Sequence, residues 1–168
     1  MSKEFEVTDD ILATKQQRFA NYIIDFIVQY ILVFATTVVV LIICNYFEIY
    51  GVAIWVENAG RLEEYFIGIF MLLIYYFVFE KVFSKSIGKF ITKTILVDEN
   101  GNKVRTETVL KRTFCRLIPF EAFSFLGASG RGWHDTISDT YVVKELLLEQ
   151  AKRQFYEFEE IGKPQDLE

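Results

Sequence analysis

The stretch Phe26–Phe47, FIVQYILVFATTVVVLIICNYF, decides the fold. It carries no formal charge over its whole length, and at about 1.5 Å per residue it reaches about 33 Å, enough to cross a hydrocarbon core of about 30 Å. Ile, Val, Leu and Phe occupy every face of the helix it would form, a distribution that belongs in lipid or in a large core. A chain of 168 residues offers no core of that size. The run predicts a transmembrane helix over about 19–47. It is not the apolar part of a signal peptide, because the residues before it are acidic on balance and no small-residue cleavage site follows it.

A second run, Tyr65–Phe79 (YFIGIFMLLIYYFVF), reaches only about 22 Å by the same rise. It spans a bilayer once Glu80, Lys81, Val82 and Phe83 are counted, giving a second span over about 65–83. Lys81 can then snorkel, whereas Glu80 needs a partner or a wet cavity. Lys3, Lys15 and Arg18 precede the first span, and Lys81, Lys85, Lys89 and Lys93 follow the second. The connection between them has Arg61 beside four glutamates. The positive-inside rule therefore predicts both termini in the cytoplasm.

The rest of the composition agrees. Apolar residues make up 52% of the chain and charged residues 24%, with the apolar ones gathered into runs rather than interspersed. The net charge of −5 hides a basic stretch, 81–116, and an acidic one, 144–168. The basic stretch directly follows an apolar run, so it reads as a juxtamembrane cluster rather than a nucleic-acid surface. Cys44 and Cys115 lie in different segments without ligand-like spacing and read as small apolar fillers, so neither a disulfide nor a metal site is expected.

Beyond Ser84, Ile91–Val97 is rich in Ile and Thr, and Asp98-Glu99-Asn100-Gly101-Asn102 is a strong turn signal. A small cytoplasmic β-hairpin is expected near 94–105, returning through Lys103-Val104-Arg105, with Thr140–Val143 as a further short strand that joins it. Thr106 reads as an N-cap for a helix that Pro119 must kink or end. Together with the aromatic stretch after Pro119, residues 106–126 fit a re-entrant or interfacial amphipathic helix. The tail places Leu146, Leu147, Leu148, Ala151, Phe155 and Phe158 at spacings near three and four, which predicts an amphipathic surface helix. The expected fold class is a mainly α, polytopic membrane protein. It has two transmembrane helices, the re-entrant or interfacial helix, the hairpin in a unit covering 1–143, and an acidic tail helix over 144–168.

Charges inside apolar helices are the informative residues, since one at mid-bilayer costs about 2.5–3.5 kcal/mol on insertion scales. Arg18 and Asp25 are seven residues apart and fall on one helix line with Tyr22, Gln29 and Thr36. Asp25 lies about two turns inside the span. Two readings compete. Asp25 is neutralised by a fixed ion pair with Arg18, Arg112 or Arg116, locking elements together; or Asp25 and Glu80 line a wet pocket that binds a cation or exchanges protons, with an arginine tuning them. Arg112 and Arg116 share a helix face. His134-Asp135 makes no triad, and Ser86-Ile87-Gly88-Lys89 lacks the first glycine of a phosphate loop. No enzyme signature is visible.

These pieces occur in a familiar order: Arg18-Phe19…Asp25, two spans, Tyr76-Phe77-Val78-Phe79-Glu80, Ser86-Ile87-Gly88-Lys89, Leu110-Lys111-Arg112…Arg116 and Trp133-His134-Asp135. The ordered set resembles the RDD family of small bacterial membrane proteins, named for an arginine and two aspartates, over about residues 14–143. The resemblance makes Arg18 the arginine, Asp25 the first aspartate and Asp135 the second. The family's Thr-Pro-Gly-Lys is Ser-Ile-Gly-Lys here, which keeps Gly88 and Lys89 and loses the proline. It implies a bacterial cytoplasmic membrane, and it weakly implies transport, some members being linked to sodium–proton antiport.

The expected function is an ion- or proton-coupled transport component working as an oligomer, since two spans wall too little of an aqueous path. Asp25 and Glu80 would bind the ion or proton, with Arg18, Arg112 and Arg116 as charge partners. Gly88, Lys89, His134 and Asp135 would form a cytoplasmic motif. The partners expected are the lipid bilayer, further copies or another membrane protein, and a monovalent cation or proton; no cofactor is expected. The alternative is a non-transporting scaffold that docks a partner at the cytoplasmic face.

Overall fold

A computed structural model describes residues 4–121, 124, 127 and 131–161 of the chain, with side chains up to 158. Its longest element, α1 (Lys15–Tyr46), starts from a reciprocal cap. The Thr14 hydroxyl accepts from the Gln17 amide at 3.2 Å, and the Thr14 amide donates to the Gln17 side chain at 3.0 Å. At helical rise its 32 residues extend about 48 Å. A tight turn through Glu48, at φ 57°, leads into the short helix α2 (Tyr50–Glu57). The long helix α3 (Arg61–Phe83) follows, its first turn carrying Glu63 and Glu64, where the helix dipole favours negative charge.

Helices α1 and α3 are long and apolar enough to cross a membrane, and their surroundings distinguish them from soluble core helices. None of the most apolar 18 residues of α1 is buried, and only 17% of those of α3 are. Phe26, Tyr30, Phe34, Ile42, Phe66 and Phe70 all stand exposed. Contiguous apolar surface on this scale marks a face that meets something other than water.

The polar end of the helix pair carries the rest of the chain. Ser84, in the left-handed region at φ 56°, stops α3, and Ser86 caps α4 (Ile87–Thr92). This short helix lies against α1 so closely that a Cβ on Gly88 would sit 2.6 Å from the Asn21 carbonyl oxygen. Only glycine permits that approach. After Lys93, β1 (Thr94–Val97) pairs antiparallel with β2 (Tyr141–Lys144), Thr94 opposite Lys144 and Val97 opposite Tyr141.

The expected hairpin near 94–105 is thus corrected. The turn is present, with Asp98 accepting from the Asn100 and Asn102 amides at 3.0 and 2.8 Å and Gly101 at φ 68°. Residues 103–105, however, run on into helix α5 (Thr106–Cys115), with Arg105 rather than Thr106 as N-cap. The sheet is buried on both faces, and Val142 and Val143 supply an apolar residue to each where Lys103 and Arg105 would bury charge. On one face Leu96 and Val142 join Ala13, Val104 and Val109; on the other Val97 and Val143 join Phe5, Ile11 and Leu148.

Helix α5 ends at Cys115 and gives way to turns before Pro119. Of the stretch 120–126, residues 122, 123, 125 and 126 lie outside the described residues, as do 128–130 and, in the tail, 162–168. Helix α6 (Trp133–Ile137) follows, and α7 (Glu145–Ile161) continues directly from β2. The tail helix lays Leu147, Leu148, Ala151 and Phe155 on the sheet, whereas Leu146 and Phe158 point away.

Candidate functional site

The charged residues at the polar end of α1 and α3 form two arrangements, built differently. The first surrounds Asp25, which is 2% exposed. One carboxylate oxygen accepts from the Tyr75 hydroxyl at 2.7 Å and the Gly88 amide at 2.8 Å. The other accepts from the Ser86 hydroxyl at 2.6 Å and the Tyr76 hydroxyl at 3.3 Å. Tyr75 in turn accepts from the Ile87 amide at 3.0 Å. Four donors from α3, α4 and the turn between them meet one acid on α1, and among the described residues Asp25 makes no ion pair.

The alignment of Arg18 with Asp25 along α1 therefore does not produce contact. Arg18 reaches instead across to Asp135 at the start of α6. The arginines belong to the second arrangement, a cage around Glu80 and Asp135. Lys89 and Arg116 both bind one oxygen of Glu80, Arg116 at 2.9 Å, while the Nε of Arg112 binds the other at 3.2 Å. Arg112 also donates to Asp135 and, at 2.7 Å, to the Thr140 hydroxyl, so a single fully buried guanidinium joins both acids. Asp135 accepts further from the Gly132 amide at 2.9 Å. The Arg116 guanidinium stacks on the Tyr76 ring at 3.7 Å, which connects the cage to the Asp25 site.

The cage shapes its own titration. Burial alone would raise the Asp135 carboxyl, but Arg112, His134 and Arg18 hold it well below the usual carboxylate range. Burial pushes Lys89 down to about 8, helped by Arg112 and Arg116 and opposed by Glu80. Burial likewise pushes the His134 imidazole down to about 4, against Asp135 and Glu121, which favour its charged form. His134 contacts Glu121 through Nδ1, and its Nε2 lies 3.3 Å from Asp135. Burial would raise Glu121, yet its hydrogen bond and charge interaction with His134 hold it below the ordinary value.

The structure brings together Asp25, Glu80, Arg18, Arg112, Arg116, Gly88, Lys89, His134 and Asp135, all named from the sequence. It adds Tyr75, Tyr76, Ser86 and Glu121. The two tyrosines carried a signal, adjacent polar handles inside an apolar run. Glu121 carried another, as an acid in an otherwise aromatic stretch. Among the described residues no three His, Cys, Asp or Glu side chains gather to share a metal ion.

Two hollows adjoin these arrangements. A cavity of about 50 Å³ is lined by Asp25, Lys89, Arg112, His134 and their neighbours. A cleft of about 910 Å³ runs between α1 and α3 from Trp55 and Glu64 at one end to Arg116 and Glu121 at the other. Tyr22, Tyr76, Arg116 and Glu121 line both. Three guanidinium N–H groups, Arg18 Nε, Arg112 Nη2 and Arg116 Nε, are buried there without an acceptor among the described residues.

A pair of exposed apolar helices closed at one end by a buried carboxylate–guanidinium cluster defines a small helical membrane protein. The chain belongs to the RDD family, whose model matches residues 12–139 and so takes in every charged residue of both arrangements. No curated protein and no solved structure matches it.

Proposed function

We propose that the protein is a proton-coupled transport component of the bacterial cytoplasmic membrane, with Asp25 as the proton-binding group. The observation that carries this reading is the difference between the buried acids. Glu80 and Asp135 are each tied to at least two cations, so protonating either would strand buried positive charge. Asp25 is held by three hydroxyls and one amide, and hydroxyl groups can turn from donor to acceptor when the acid takes up a proton. The Gly88 amide, donating at 2.8 Å, disfavours a metal cation at the same oxygen, so a proton fits the site better than sodium. The adjoining cavity and the cleft beside Gln29, Thr36 and Thr37 offer approaches from the two ends of the helix pair.

In this reading α1 and α3 both cross the bilayer, and the lysines flanking them put both termini in the cytoplasm. A second copy or another membrane protein completes the wall that two helices leave open. The rival scaffold reading rests on Leu146, Tyr156 and Phe158, which stay exposed on α7; it is weakened because most of that helix's apolar row is used on the protein's own sheet. Reconstituted protein should carry pH-driven flux that Asp25→Asn abolishes. Flux unchanged in that variant would remove Asp25 from the mechanism.

A further inference from the structure

The cleft between α1 and α3 has a chemistry that the proton site does not explain. Its walls are largely apolar, with Val33, Phe34, Val40, Ile67 and Met71 among them, and its volume of about 910 Å³ lies in the range of a ligand pocket. Both walls belong to helices whose outer faces are exposed and apolar, so the cleft opens toward hydrocarbon. At the end nearest the polar domain it closes on Arg116 and Tyr76. Of the guanidinium donors without an acceptor among the described residues, Arg116 Nε belongs to a side chain that lines the cleft, whereas Arg18 Nε and Arg112 Nη2 belong to side chains of the adjoining cavity.

All three orphaned groups are donors. A buried N–H without an acceptor costs about 1–3 kcal/mol, more when the group is charged. A ligand in the cleft that supplied oxyanion lone pairs at this end would remove that cost at Arg116. The acids nearby are already occupied: Glu80 by Lys89, Arg112 and Arg116, Asp25 by its four donors, and Glu121 by His134. Arginine is also the side chain best matched to a phosphate oxygen.

We propose that the cleft binds one anionic phospholipid from the surrounding bilayer, its chain lying between α1 and α3 and its headgroup phosphate meeting Arg116. As a statement about binding it is independent of proton exchange at Asp25. Only the further step, that this amphiphile is what the proton drives, rests on the transport reading.

Gly68 gives a clean way to test it. The glycine lines the cleft, a Cβ added there meets nothing within 4 Å, and no residue of the cage other than Arg116 lines the cleft, so Gly68→Phe projects its ring into the cleft. The full-length protein is purified with equimolar phosphatidylglycerol and phosphatidylcholine, and retained lipid is counted by native mass spectrometry. The native chain should retain one phosphatidylglycerol per protomer, preferred by about tenfold, the size expected of one charge-assisted hydrogen bond. Gly68→Phe should lose it, and Arg116→Gln should lose the preference. Equal retention of both lipids by the native chain would overturn the proposal, as would undiminished lipid on Gly68→Phe. Displacement by inorganic phosphate alone would overturn it too, by showing that the cleft contributes nothing. Asp25→Asn should keep its lipid; lipid bound by a native chain that carries no flux would retire the transport reading and leave the lipid site standing.

Discussion

Asp25 and Glu80 are both buried acids at the same end of the helix pair, yet their partners could hardly differ more. Glu80 faces one lysine and two arginines; Asp25 faces hydroxyls and an amide. An ion-paired carboxylate in a low-dielectric setting is committed to its charge, because losing it leaves the partners uncompensated. A carboxylate solvated by neutral hydroxyls carries no such commitment. On the proposed reading the contrast separates a structural lock from a site that changes state, and it does so with residue types that look alike in the sequence.

The lock should show the largest effects. Arg112 is fully buried and serves both acids, so Arg112→Ala should cost about 3–5 kcal/mol of stability, read as a large drop in melting temperature of the purified protein. Acid should act on the same cluster. His134 is held down to about 4 while the unfolded imidazole titrates near 6.5, so between those values the unfolded chain binds the extra proton. Stability should fall by about 3 kcal/mol as pH drops from 6.5 to 4, and falling pH then also protonates Glu121 and Asp135, whose depressed values add loss in the same direction. Melting curves across this range should slope downward toward acid, and His134→Gln should flatten the upper part.

The hydroxyl site should answer more gently. Gly88→Ala places a methyl 2.6 Å from the Asn21 carbonyl and should cost about 1–3 kcal/mol by forcing α4 off α1. If it cost as much as Arg112→Ala, the separation between lock and switch would be blurred. At the bottom of the scale, Leu146→Ser on the exposed side of α7 should change stability by less than about 0.5 kcal/mol. A large loss there would mean that α7 docks a partner through that face.

Some of this architecture was legible in the chain. The long apolar helices depend on local composition: α3 runs four residues past its uncharged run at each end, while α1 starts at Lys15, well before Phe26, and ends at Tyr46. The turn at Asp98–Asn102 was also local. Thr140–Val143 was legible as a strand joining the sheet, but not as the sole partner of β1, which pairs with Val142 and Val143 across some forty residues of chain for their apolarity on both faces, while 103–105 stays out of the sheet. The charged cluster was legible as a set of residues but not as a set of pairs. Arg18 and Asp25 share a helix line, but the guanidinium reaches to Asp135 and leaves Asp25 to Tyr75, Tyr76, Ser86 and Gly88. Periodicity gives the face on which a side chain lies; which of several opposite charges it meets depends on how α4, α5 and α6 close over it.

On the proposed function Asp25, unlike Glu80, exchanges a proton while the protein stays folded. Isotope-edited infrared spectroscopy on the reconstituted protein tests it directly, by following the protonated-carboxyl band as pH falls. The band should appear reversibly in the native chain, persist in Glu80→Gln and be missing in Asp25→Asn. A band unchanged in Asp25→Asn, or lost only in Glu80→Gln, would contradict it.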